Sequence, residues 1–577
     1  MMSARRLWLM CVLSLVSYAL LITRLGYLQI VCHDELAARA SREGNRKVVQ
    51  QLTRGAIADR TGAILAVSIQ GGAIFADPTQ VTGADETARL LAPLVQMPSA
   101  AIRAKLSQRR RFVWLARRLD PETAERIRDL HRPGIFVAPE MKRFYPEDNL
   151  AAQVLGVVND EQMGLSGVEQ MGNGWLTGQQ APFLFKQWPL GDKRSFVGGQ
   201  PMDLPAHSLV LTIDRTLQTI AEQELAAQMK ISRPRSGTVV IEDPSTGEIL
   251  AMASAPSFSP NLWGAPGHDS DYGPELLKNP AVEKVFEPGS TFKLVTAAAA
   301  LEEHKVTPQD NFFCENGTWQ IPGRTIHDHE RNGWLTFAEV ISHSSNIGTA
   351  KVAMRLGENN MYRFARAFGF GMPTGCGLPG DGVGILRQPG EWRPSSLETI
   401  AFGQEVGVTP LQMVNAYCAV ANGGWLMEPR LYKGLIDGTG AYREWNPRKP
   451  IRRVVSAGTV ETLKNILTLV VESGTGKAAQ VSGITVAGKT GTAQKIDPST
   501  HQYSVDRYIA SFCGFAPAQR PRIVIGVFLD EPRGGSYYGG SEAAPLFSRI
   551  VRDAAGYLRL QPAALGPLAA SRIITRS

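Results

Sequence analysis

Three short motifs stand in order in the C-terminal half of the chain: Ser290-Thr-Phe-Lys293, Ser344-Ser-Asn346 and Lys489-Thr490-Gly491-Thr492. The first sets a hydroxyl three residues ahead of an amine, the pairing of a serine nucleophile with a lysine base. The second adds another hydroxyl and a carboxamide. The third adds a cation and two hydroxyls around a glycine. Each motif alone is common. The ordered set assembles what acyl transfer through an acyl-serine requires.

Local sequence indicates how these groups are held. Glu287-Pro288-Gly289 breaks the chain just before Ser290, and the following residues up to Leu301 have high helix propensity. Ser290 is therefore expected at a helix N-terminus, where free amides and the dipole favour negative charge on its oxygen. Lys293 falls on the same face. That helix is apolar nearly all round, so Lys293 is expected to be buried with a depressed pKa, as a base requires. A capped helix with a snorkelling lysine is the alternative. Ser344 and Asn346 lie between two helical patterns. There Ser344 would relay a proton between Lys293, Ser290 and a leaving amine, and Asn346 would hold a peptide group. An ordinary N-cap serine is the competing reading.

Residues 484–494 alternate with period two and read as a strand. Gly491 would let a substrate approach the backbone. Lys489, Thr490 and Thr492 offer a cation and hydroxyls to a carboxylate, and an extended peptide laid on this edge would gain backbone hydrogen bonds. A plain edge strand with a solvated lysine is the alternative.

The 577 residues, 44% hydrophobic and 20% charged, bound a globular protein of about two to four domains. A formal charge of +8 over this length does not call for nucleic acid, because no basic run is interleaved with aromatics. Arg5 and Arg6 precede an uncharged stretch from Leu7 to Thr23. With the apolar segment past Arg24 this predicts a membrane anchor over 7–30 and a cytoplasmic tail over 1–6, with the rest outside the cytoplasm. A cleaved signal peptide is the alternative.

Region 41–207 is mixed and carries no nucleophile–base pair, so it reads as a spacer or docking module. It opens as strand–turn–strand around Asp59-Arg60-Thr-Gly62, runs helical in pattern from Asp85 to Leu130, and ends extended at Arg143-Phe-Tyr145-Pro146. Region 236–560 begins with a hairpin across Asp243–Gly247 and closes with strands over Tyr508–Gly514 and Arg522–Leu529. Helical segments lie between, which predicts an α+β domain with an antiparallel sheet flanked by helices. Residues 561–577 read as a disordered tail.

None of the six cysteines forms a Cys-x-x-Cys pair, which argues against zinc or thioredoxin chemistry. In an oxidising compartment a Cys314–Cys376 bridge stays open as an alternative to free thiols. His327-Asp328-His329 lacks a third ligand at suitable spacing and reads as a surface turn. Ser473-Gly-Thr-Gly-Lys477 lacks the first glycine and the final hydroxyl of a phosphate loop.

The ordered trio with one N-terminal anchor resembles a class B penicillin-binding protein, and the likeness covers nearly the whole chain. Arg54-Gly-x-Ile-x-Asp59-Arg60-x-Gly62, Arg143-x-Tyr145-Pro146 and Gly164-x-x-Gly167-x-Glu169 resemble the family's N-terminal pedestal module. Gly403-Gln-Glu-Val-Gly407 and Tyr537-Tyr-Gly-Gly540 also match. Within the class, the second motif and the length are similar to the septal, cell-division type, with the elongation type the nearer rival.

The resemblance implies a D,D-transpeptidase without a glycosyltransferase domain, metal or organic cofactor. Ser290 would attack a stem peptide ending in D-Ala-D-Ala, with Lys293 as base helped by Ser344. Asn346 would position the peptide, Lys489 would set the potential, Thr490 and Thr492 would hold the terminal carboxylate, and Gly491 would bind substrate beside them. The backbone amides of Ser290 and Thr492 would form the oxyanion hole. β-Lactams would acylate Ser290. A SEDS-type glycosyltransferase and divisome membrane proteins would be partners, and no nucleic acid. Two rivals remain. Class D β-lactamases share Ser-Thr-Phe-Lys, but their second motif ends in Val where this chain has Asn346. A non-catalytic scaffold would be expected to have lost a motif residue.

Overall fold

The computed structural model describes residues 4–27, 53–177, 206–264, 273–445, 447–497, 499–500 and 502–560. The tail at 561–577, residues 28–30 of the expected anchor, and 41–52 and 178–205 of the expected module lie outside these. Residues 1–52 and 53–577 form separate units. The first contains helix α1 (Ala4–Gly26), whose leucines at 13, 15, 20 and 21 are exposed. Among the described residues no helix is long and apolar enough to cross a membrane.

The second unit begins with strands β1 (Ile57–Ala58) and β2 (Ile64–Ala76), joined by the expected turn. Helices α2 (Ala84–Val95) and α3 (Ser99–Leu106) follow. The helical reading of 85–130 fails in its middle, where β3 (Val113–Leu119) pairs with β2 before helix α4 (Pro121–Asp129). The arginines that gave β3 a helical look reach across space: Arg117 pairs with Glu140 at 2.5 Å and Arg118 with Asp160 at 3.0 Å. β4 (Ile135–Phe144) also pairs with β2.

This sheet is not closed by its own segment. β1 pairs in parallel with β5 (Ser208–Leu211). Helix α5 (Arg215–Ser232) and the hairpin β6 (Ser236–Asp243) and β7 (Glu248–Ala255) follow. Helices α6 (Lys293–Glu302), α7 (Asn346–Leu356) and α8 (Pro410–Ala421) lead to β8 (Tyr432–Ile436) and β9 (Tyr442–Glu444). β8 returns to pair with β5, which makes a seven-stranded sheet with path β9-β8-β5-β1-β2-β3 and β4 beside β2. Strands from 208–211 and 432–444 therefore complete the sheet of the module expected over 41–207.

Helix α9 (Ala457–Glu472) precedes β10 (Ala487–Ile496), β11 (Tyr503–Ala516) and β12 (Ile523–Asp530), and α10 (Gly539–Leu558) ends the described chain. These strands join the hairpin in a five-stranded antiparallel sheet of order β10-β11-β12-β6-β7. Side-chain alternation gives each face its own core. Val239 and Ile241 pack with α5 and α10, while Val240 and Met252 join the core of α6 and α8. Helices thus cover both faces, and β10 is left as an edge strand.

The three N-terminal motifs meet at one buried cluster. Arg54 Nε donates to Glu169 at 2.6 Å, Arg143 Nε to its other oxygen at 2.7 Å, and Tyr145 OH to Glu169 at 3.4 Å. Glu169 is wholly buried. Burial pushes its carboxyl up, but Arg143 and Arg54 more than offset this and hold it below the usual range. The neighbouring turn ties the sheet to the catalytic half: Asp59 accepts the Arg215 N–H that opens α5, and Arg60 pairs with Glu248 of β7 at 2.8 Å.

Candidate active site

Ser290 lies in a 3-10 turn, Gly289–Phe292, that runs into α6, with Lys293 as the helix's first residue. The turn is clamped from three sides. Gly289 N–H donates to Gly403 O at 3.0 Å. A Cβ at Gly403 would fall 2.2 Å from Gly289 O, and Gly403 has φ +84°, so this position requires glycine on both counts. The buried Tyr417 OH holds Thr291 O at 3.0 Å. Below, the turn packs on β10, and a Cβ at Gly491 would fall 2.4 Å from Ser511 Oγ and 2.9 Å from Thr291 Cγ2. Glycine at 491 thus lets the Ser290 turn and β11 approach the strand closely.

Lys293 is fully buried, as its apolar helix predicts. Its Nζ donates to Ser344 O at 2.5 Å and Asn346 Oδ1 at 2.9 Å, and lies 3.2 Å from Ser344 Oγ. Burial lowers its pKa to about 7, partly countered by the charge of Asp328. Ser344 presents both atoms because it has φ +62°, a left-handed conformation unfavourable for serine and found where function constrains the backbone.

Lys489 is also fully buried, against the reading of a solvated lysine. Its Nζ reaches Thr490 O at 3.2 Å and Thr490 Oγ1 at 3.4 Å. Burial and the neighbouring Lys293 charge both push its pKa well down. Thr490 Oγ1 lies 2.7 Å from Thr475 Oγ1, and Thr492 Oγ1 accepts Gly539 N–H at 3.0 Å. Gly539 in turn sits against the Gly491 and Ser511 carbonyls, where a Cβ would come within 2.3 Å of each. The Gly403 and Tyr537–Gly540 motifs are therefore struts for the Ser290 turn and for β10.

Two supporting residues escaped the sequence reading. Asp328, set aside within a surface turn, accepts from Ser345 Oγ at 2.5 Å, Asn346 N at 2.6 Å and Ile347 N at 2.9 Å. It caps α7 and fixes the second motif against Lys293; its two histidine neighbours had suggested only a metal. Thr475 belongs to the glycine-rich segment rejected as a phosphate loop, and it braces Thr490 instead. Cys314 and Cys376 are both buried, and no disulfide joins them.

A half-buried serine, a lysine whose pKa sits near neutrality and a second buried cation on a sheet edge make the arrangement of an acyl-serine enzyme. Residues 237–552 match the penicillin binding protein transpeptidase domain and residues 50–181 the penicillin-binding protein dimerisation domain, and the chain belongs to this family. It is 32% identical over 569 residues to the peptidoglycan D,D-transpeptidase FtsI of Escherichia coli, covering 97% of this chain and 93% of the relative. Stage V sporulation protein D of Bacillus subtilis is 33% identical, with 97% and 86% covered. The crystal structure of penicillin binding protein 3 from Mycobacterium tuberculosis with aztreonam superposes with a TM-score of 0.69 at 30% identity, over 89% of this chain and 98% of that one.

Proposed function

We propose that the chain is a monofunctional serine D,D-transpeptidase that cross-links peptidoglycan stem peptides during septal wall synthesis. The observation that carries this is the pair of buried lysines flanking the Ser290 turn, one neutral enough to accept a proton and the other awaiting an anion. The likeness to FtsI supports the septal role.

In this reading the terminal carboxylate of a D-Ala-D-Ala stem lies by Lys489, Thr490 and Thr492. Ser290 Oγ attacks the penultimate carbonyl carbon and its proton passes to Lys293 Nζ, whose N–H bonds are held by Ser344 O and Asn346 Oδ1. The amide C–N bond breaks, the leaving D-Ala takes a proton relayed through Ser344, and an ester on Ser290 remains. The amine of a second stem attacks that ester and gives a proton to Lys293; the C–O bond to Ser290 breaks and Lys293 returns that proton to Ser290 Oγ. Amides of Ser290 and Thr492 face the oxyanion. Asn346 then has two tasks, since its Nδ2 also donates to His327 O at 2.9 Å.

The uncharged stretch Leu7–Thr23, helical within α1 and preceded by Arg5 and Arg6, supports an anchor in the inner membrane with the catalytic half outside the cytoplasm. Such an anchor would put the enzyme beside a SEDS-type glycosyltransferase and divisome membrane proteins. The test is incubation of the chain with a fluorescent penicillin, followed by intact mass. A stable adduct that Ser290→Ala abolishes without unfolding is expected. An adduct lost within seconds would point to a β-lactamase, and retained labelling in Ser290→Ala would overturn the nucleophile assignment.

A further inference from the structure

In the pedestal sheet, strands β2, β3 and β4 keep their aliphatic and aromatic side chains on different faces. Ile74, Leu115, Ile135 and Val137 turn towards α2 and α3, where they pack with Leu91 and Ile102. The alternate residues make a ladder of rings: Phe75 is the direct partner of Trp114 on β3 and of Phe136 on β4. Phe75 stacks on Phe136 with centroids 5.1 Å apart at 18°. Phe112, just ahead of β3, sets its ring 5.0 Å from Phe75 and 4.9 Å from Trp114. Phe112 is 48% exposed, and Trp114 and Phe136 are each 40% exposed. Rings gathered in the open in this way mark a binding surface. Cations accompany them. The Arg117 guanidinium lies 5.4 Å over the Trp114 ring. Arg109, Arg110 and Arg111 lead directly into Phe112; all are exposed, and among the described residues none makes an ion pair.

A lipid tail or an apolar protein face would need aliphatic side chains beside the rings, and those of these strands are turned inward. A sugar ring fits better. Its C–H bonds turn slightly positive hydrogens to the electron-rich ring faces while its hydroxyls stay in water. Carboxylates carried along the polymer would answer the arginines. This inference rests on the proposed function, which sets the chain to work on a glycan whose stems bear carboxylates. We propose that Phe75, Phe112, Trp114 and Phe136, with Arg109, Arg110 and Arg111, form a second binding surface for the carboxylated glycan strand itself, apart from the stem terminus that meets Ser290. Holding the polymer there keeps its stems at a high local concentration through successive cross-links.

The experiment uses the full chain in detergent, acylated at Ser290 with fluorescent penicillin so that the catalytic site is occupied. Fluorescence anisotropy then follows binding of soluble, uncross-linked glycan strands, of the same strands with their carboxylates converted to amides, and of poly-glutamate. The native strands are expected to bind best. Trp114→Ala with Phe136→Ala is expected to weaken them about tenfold or more, the scale of losing an aromatic stack. Arg109→Glu, Arg110→Glu and Arg111→Glu together are expected to weaken native strands about tenfold and to leave amidated strands unmoved, a selectivity that unfolding cannot mimic. No binding of native strands, equal binding of native and amidated strands, or strand binding that the ring variant leaves unmoved would overturn the inference. So would poly-glutamate binding as tightly as the strands, the mark of an acidic protein partner. In each of these cases penicillin labelling keeps the transpeptidase reading intact. An unmodified chain that penicillin does not label would sink that reading and this one with it.

Discussion

The pedestal joint and the catalytic centre each bury two cations, and they settle the resulting charge in opposite ways. Arg54 and Arg143 share the carboxylate of Glu169, with every group inside the joint. Among the described residues Lys293 and Lys489 make no ion pair; one is held by a carbonyl, a hydroxyl and an amide oxygen, the other by a threonine. A buried charge matched from within holds structure in place. One left unmatched has its proton affinity shifted and is completed by what binds.

The sharpest break of this contrast is Glu169→Ala. It strands two buried guanidiniums, so we expect a loss of about 3–5 kcal/mol in urea unfolding, the usual cost of removing one partner from a buried pair. Penicillin labelling of the folded fraction should persist. The joint should also weaken in acid. Its carboxyl has a folded pKa below the ordinary 4.5, so its contribution is complete above that pH and is lost as pH falls through the folded value.

At the other centre, Lys293→Ala should slow acylation by about 100-fold or more, the scale of a lost general base. In the unmodified chain the acylation rate should rise with pH through about 7, where Lys293 gives up its proton. A flat profile from pH 5 to 9 would remove lysine as the base.

Lys489→Met sharpens the comparison from the side of stability. A buried cation without a carboxylate costs the fold, so a thioether of similar length should raise stability by about 1–2 kcal/mol while β-lactam acylation falls. Lowered folded pKa values mean that the unfolded chain binds more protons up to 10.5, so the gain should shrink as pH rises towards that value. A destabilised Lys489→Met would mean that this cation is compensated inside the protein after all.

The smallest effect concerns Asp328. Its charge raises the Lys293 pKa, so Asp328→Asn should move the acid limb of the acylation profile to lower pH. The asparagine keeps acceptors for Asn346 and Ile347, so helix α7 should persist by circular dichroism. An unmoved limb would leave Asp328 with a capping role only.

The sequence made the catalytic trio and the β6–β7 hairpin legible because both depend on neighbours within a few residues. Burial of Lys293 was readable for the same reason: its own helix is apolar on every side. Lys489 was not, because the elements packed on its strand, the Ser290 turn and α9 among them, are distant from it in sequence. β3 was hidden because its arginines find Glu140 and Asp160 only once the sheet forms. Asp328 showed no local sign of its task, since its partners stand at 345–347. Local chemistry survives in the order of residues, whereas compensation at a distance does not.

The return of β8 to β5 has a consequence for biosynthesis. At a synthesis rate of about 5–20 residues per second, a strand roughly 220 residues downstream arrives ten seconds or more after its partner. Throughout that interval β5 presents an open backbone edge to whatever lies nearby. A chain made in this order closes its first sheet only after most of the enzyme has emerged.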